Sequence, residues 1–160
     1  MMKIYTVSFF GHRIIRDFSA TEEQVENLVR NLLLDKDYVD FLVGRDGDFD
    51  QIVSSAVKRL KRLVRDDNSS LIWVLPYPTA ELRDNTDSFH NYYDEIEICN
   101  DAASSHPKSA FQVRNRQMVD RSDMVVFFVD HKGGGAYQTM RYAQKTKKKI
   151  INLALRARRD

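Results

Sequence analysis

The chain has 160 residues, 42% hydrophobic and 30% charged, with six Gly and three Pro. That excludes a fibrous or low-complexity chain and fits one globular domain. No apolar run approaches the roughly 20 residues of a membrane span, the N-terminus lacks a secretory pattern, and the single Cys99 cannot form an internal disulfide, so a cytoplasmic protein is expected.

Ile4-Tyr5-Thr6-Val7-Ser8-Phe9-Phe10 reads as a first strand ending at Gly11. Val25, Leu28, Val29, Leu32 and Leu33 recur at helical spacing, with Ser19/Glu22 or Thr21/Gln24 as a capping box. A second strand is expected over Tyr38–Val43, followed by a helix built on Ile52, Val53, Ala56, Val57, Leu60, Leu63 and Val64. Leu71–Leu75 reads as a third strand, and residues 77–109 are the least regular third, with some helix from Thr79 to His90. Phe111–Val119 is expected to be helical. Met124–Val129, apolar on both faces, has the pattern of a central parallel strand. A helix over Tyr137–Thr146 and a strand over Lys149–Ala154 complete the series. Strand and helix alternating in this way predict a doubly wound, Rossmann-like α/β fold. Its mainly parallel sheet would have about five strands with helices on both faces, in a single domain over residues 1–155, leaving 156–160 as a basic tail.

Charge is uneven along the chain. Residues 1–106 carry 12 Lys/Arg and 19 Asp/Glu, a balance of −7, whereas 107–160 carry 13 and 4, a balance of +9. A basic half can serve an anionic partner or form a solvated surface.

Ligands of such sheets bind beyond the carboxyl ends of the strands, and three of these ends carry unusual residues. The first is Gly11-His12-Arg13, where a guanidinium can grip phosphate; His12 suits a structural hydrogen bond equally well. The second is Gly44-Arg45-Asp46-Gly47-Asp48-Phe49-Asp50, in which Asp48 is expected to cap the next helix with Gln51 and Asp50 to meet a ribose hydroxyl. The third is Asp130-His131-Lys132-Gly133-Gly134-Gly135-Ala136, in which the amides of Gly133 to Ala136 at a helix start would form an anion cradle. Arg114-Asn115 adds an anion fork and an amide. Arg116, Asp120 and Arg121 suit surface ion pairs. His12, His90, His106 and His131 lack zinc-ligand spacing, so no metal and no cofactor are expected, and no catalytic residue stands out.

These four segments, with Arg114-Asn115 extended through Met118-Val119-Asp120-Arg121-Ser122-Asp123, resemble the SLOG superfamily, and within it the YpsA-like branch. The resemblance spans residues 4–154 and implies a Rossmann-like fold that binds nucleotides or nucleotide-derived ligands, with dimerisation common. The superfamily includes LOG phosphoribohydrolases, whose motif Pro-Gly-Gly-x-Gly-Thr-x-x-Glu supplies a glutamate to N-glycosidic cleavage, and DNA-binding DprA relatives. Here the proline is absent, and Arg141 or a near neighbour stands where the glutamate is expected. The resemblance therefore implies a module that binds or senses a nucleotide-like small molecule. The alternatives are an N-glycosidase or deoxyribosyltransferase-like enzyme using Asp46, Asp50 or Glu81, and a nucleic-acid-binding protein.

Overall fold

Six strands pair side by side in the computed structural model, which describes residues 2–157. They are β1 (Ile4–Gly11), β2 (Tyr38–Val43), β3 (Ser69–Leu75), β4 (Glu95–Ile98), β5 (Met124–Phe128) and β6 (Lys149–Asn152). The order is β4-β3-β2-β1-β5-β6, and every pairing is parallel. The helices are α1 (Phe18–Asp35), α2 (Asp48–Leu63), α3 (Ala80–Asp84), α4 (Thr86–Tyr92), α5 (Asn100–Ala103), α6 (Ala110–Asp120), α7 (Gly134–Lys145) and α8 (Leu153–Ala157). No helix among the described residues is long and apolar enough to cross a membrane.

Alternation along the strands sorts the core onto two faces. Val7, Phe9, Phe41, Trp73 and Val126 pack with Val25, Val29, Leu33, Ile52 and Val57 from α1 and α2. Phe10, Leu42, Val74, Val125 and Phe127 face the other way, toward Met118 and Val119 of α6 and Ala143 of α7. Helices thus cover both faces, as a parallel sheet requires.

Several local expectations give way to tertiary contacts. The sixth strand is β4, a short edge strand read from sequence as irregular; Asp94 anchors its start by accepting from Leu71 N at 2.7 Å and Lys61 Nζ at 2.8 Å. The cap of α1 is Asp17, whose Oδ1 accepts from Ala20 N at 3.1 Å, in place of Ser19 or Thr21. Residues 79–90 divide into α3 and α4 at Asn85. The last strand stops at Asn152, whose Oδ1 accepts from Ala154 N at 3.2 Å as α8 begins. Residues 156 and 157 of the expected tail belong to this helix, and 158–160 lie outside the described residues.

Sheet order changes direction beside β1: the chain runs outward through β2, β3 and β4, then returns to β1's other edge with β5. The loops beyond β1 and β5 therefore border the crevice of a doubly wound sheet. Asp48 is the first residue of α2, and Gly47 is its N-cap. Asp48 reaches across to β1's loop, accepting from Ile15 N at 3.0 Å while its own N–H donates to Arg13 O at 2.8 Å. A Cβ on Gly47 would lie 2.4 Å from Arg13 Cα. Gly47→Ala is accordingly expected to cost about 1–3 kcal/mol in denaturant unfolding, because backbone must move to admit the methyl.

Candidate functional site

A cavity of about 610 Å³ opens at the carboxyl ends of β1, β2 and β5. Of the residues singled out in the sequence, Gly11, His12, Arg13, Gly44, Asp46, Asp50, Arg114, Asn115, Gly133, Gly134, Gly135 and Ala136 line it. Gly47 does not; it lines a neighbouring cavity on the α2 side with Glu81. His131 and Lys132, from the segment that leads into the glycine turn, also line the first cavity, and Phe10, Ile14, Phe111 and Gln112 complete its wall without having been distinguished as site residues by the sequence.

The glycine turn forms one side. Gly133 and Gly134 have φ of 105° and 82°, a region that L side chains rarely adopt. A Cβ built on either meets nothing within 4 Å, so the need for glycine is conformational and both residues face open space. Gly133 is the N-cap of α7 and lends no side-chain cap, and no acidic residue occupies the first turn. The first backbone N–H groups of a helix have no intrahelical acceptor and carry the positive end of its dipole. Arg13 and Lys132, both exposed, stand beside this turn, and neither has an ion pair among the described residues.

The floor is a buried polar network. Arg114, only 3% exposed, donates from Nη2 to Asp46 Oδ2 at 2.7 Å, from Nη1 to Val74 O at 3.1 Å and from Nε to Asn115 Oδ1 at 3.0 Å. Asn115 Nδ2 donates to Thr139 Oγ1 at 3.0 Å, and Thr139 in turn donates to Gly135 O at 2.8 Å. The guanidinium expected as an anion fork is thus engaged within the protein. Asn115 has both ends of its amide in the same chain of bonds, which connects β2's loop to the glycine turn. Thr139 is a link that its sequence position on a helix gave no reason to choose.

Asp50 lies next to Asp46 and accepts from Asp46 N at 2.8 Å. Burial, joined by the negative charge of Asp46, raises its carboxyl to about 7 despite the Asp46 N–H and Arg114. Gly44 packs against this group, since a Cβ there would lie 2.9 Å from Asp46 Oδ2 and 3.2 Å from Arg114 Nη1.

At the opposite rim, His12 is 9% exposed and its ring stacks on His131, with centroids 3.7 Å apart and planes at 13°. His12 Nε2 accepts from Asp130 N at 3.1 Å, so this nitrogen carries a lone pair and its 3.3 Å approach to Asp130 Oδ1 is not a charged pair. Burial and the neighbouring His131 lower the His12 pKa, outweighing Asp130. Asp130 Oδ1 also meets His131 Nδ1 at 2.6 Å. The remaining motif residues are structural. Ser122 bonds Ser8 at 2.7 Å, and Asp123 Oδ2 accepts from Thr6 N at 2.8 Å, docking the end of α6 on β1. At the surface, Arg121 pairs with Glu97 at 2.8 Å and Asp120 accepts from Tyr142 OH at 2.6 Å.

No family model and no curated protein matches the chain. Solved structures do match in fold. The DNA processing protein A (DprA) of Streptococcus pneumoniae superposes with a TM-score of 0.66 at 15% identity, over 92% of this chain and 49% of that one. DprA of Helicobacter pylori, solved for its single-stranded DNA binding mode, superposes with a TM-score of 0.63 at 18% identity, over 91% of this chain and 63% of that one. The chain spans about half the length of the first and under two thirds of the second. It shares the Rossmann-like fold of these proteins.

Two outcomes follow from the network. Arg114→Met, which leaves Asp46 without its cation, is expected to lower unfolding free energy by about 2–3 kcal/mol; Asp46 keeps some solvent, so the effect falls below that of a fully buried pair. A raised folded-state pKa at Asp50 means that the folded protein holds this proton after the unfolded chain has lost it. Stability from this group is therefore lost as pH rises from about 4 to 7 and is constant above. Asp50→Asn should match the parent at pH 4 and exceed it by about 1–3 kcal/mol at pH 8, solvent in the cavity weakening the full effect. Melting curves across that pH range measure both.

Proposed function

We propose that this chain is a SLOG-type domain of the YpsA-like branch that binds or senses a nucleotide or nucleotide-derived phosphate ligand. The observation that carries this reading is the Gly133-Gly134 turn. It sets the uncapped first turn of α7 against an open cavity beside two cations without ion-pair partners. Phosphate oxygens would accept from the N–H groups of Gly134 to Ala136, with Arg13 and Lys132 supplying charge. Arg114 would act through Asp46 and Asn115 by holding the floor, rather than by touching phosphate. Asp50 and Gly44 would border the sugar. A homodimer in the cytoplasm belongs to the same proposal, on the strength of the family resemblance and the single Cys99.

Cleavage of an N-glycosidic bond is less well supported, since the first turn of α7 has no acidic residue and Arg141 pairs with Tyr137. Freed base after incubation with nucleoside monophosphates would instead favour that enzyme, with Asp50 as its acid. A second reading, binding of single-stranded DNA, is favoured by the +9 balance of residues 107–160 and by what the Helicobacter pylori DprA structure is said to bind. It predicts a gel shift that weakens steeply with salt.

The test is thermal unfolding with AMP, ADP-ribose and NAD. A ligand at 100-fold its Kd should add about 2.7 kcal/mol. Gly134→Val, which cannot hold φ of 82° without strain, should abolish the shift, and Arg13→Ala should weaken binding about tenfold. Unchanged binding in both variants would place the ligand elsewhere.

A further inference from the structure

We propose that His12, Asp130 and His131 form a binding site for a divalent first-row transition-metal ion at the rim of the cavity. One potential ligand atom from each of the three residues lies within 4.8 Å of the other two. They come from two loops, His12 beyond β1 and Asp130-His131 beyond β5, at the place where the sheet changes direction. Two imidazoles and a carboxylate form a donor set that suits borderline ions such as Zn²⁺ or Co²⁺ over Mg²⁺ or Ca²⁺, and three protein ligands leave positions for water or an anion.

The state of His12 fits this role. Its Nε2 already presents a lone pair to a positive group, the Asp130 N–H at 3.1 Å, and lies 3.3 Å from Asp130 Oδ1. Ligand atoms bound at about 2.1 Å to one metal stand about 3.0–3.4 Å apart, so the separation of this pair suits shared coordination once the imidazole turns its lone pair from the Asp130 N–H toward the ion. An ion would replace the N–H as the partner of that lone pair. His131 must move more, because its stacked ring and its 2.6 Å contact with Asp130 are too close for shared coordination. Its side chain is 64% exposed, which gives the ring room to turn.

The site shares its cavity with the glycine turn. Arg13 and Lys132 repel a bare cation, whereas a phosphate bound between them would neutralise that repulsion and could fill an open coordination position. This coupling rests on the phosphate reading above; the metal site itself does not.

The untagged full chain, stripped with chelator, is titrated calorimetrically with Zn²⁺ and followed by visible absorption with Co²⁺. One ion per chain is expected, bound at least tenfold more weakly by His131→Ala and by Asp130→Asn, with the exposed His90→Ala unchanged. Absence of saturable uptake, or equal affinity in His131→Ala, overturns the site. Binding of AMP, ADP-ribose and NAD is measured separately in chelator: absence of all three defeats the phosphate reading alone and leaves the metal result standing.

Discussion

Arg114 carries a charge that cannot be neutralised by losing a proton, and it is almost wholly enclosed. The structure around the cavity is organised to satisfy it. Val74 at the end of β3 gives a carbonyl, the loop after β2 gives the Asp46 carboxylate, and Asn115 gives an amide oxygen. Three separate parts of the chain are held in register by one guanidinium. Through Asn115 and Thr139 the same constraint reaches the carbonyl of Gly135. The turn that presents α7's amides is therefore braced from behind.

One cation among two carboxylates has an electrostatic consequence. Arg114 is hydrogen-bonded to Asp46, while Asp50 is partly buried with that carboxylate's charge nearby, so its proton is retained to about neutral pH. The floor of the cavity thus holds one compensated acid and one acid poised near neutrality. Among the described residues that line the cavity, the cations without an ion pair are Arg13 and Lys132 at the rim. Such an arrangement matches the ligand proposed above, an anion at the rim with a polar, uncharged moiety toward the floor.

Much of the fold was legible because strands and helices here follow their own periods closely. Tyr38–Val43 coincides with β2, and the run Met124–Val129 extends β5 by one residue. The failures share a cause, which is that a local pattern was outweighed by distant partners. Glu95-Ile96-Glu97-Ile98 does alternate as a strand should, but over only four residues in an irregular stretch, and it is the free edge of β3 that pairs it. Asp48 looked like a helix cap, but its carboxylate serves the backbone of β1's loop instead. Asn152 ends its strand because its side chain turns back on Val129 and forward on Ala154, a choice that composition does not express.

By itself, the sequence determined the alternating α/β plan and the location of glycine turns at strand ends, because hydrophobic period and glycine's conformational freedom act over a few residues. It also marked most of the residues that line the cavity. Only the tertiary structure decided their roles. Arg114 changed from an open anion fork to the braced centre of a network, since its partners lie as far as 68 residues away. His12 and Asp130, 118 residues apart, became neighbours with His131 because β1 and β5 pair side by side. Charge compensation and ligand geometry depend on distances in space, and those exist only once the sheet has formed.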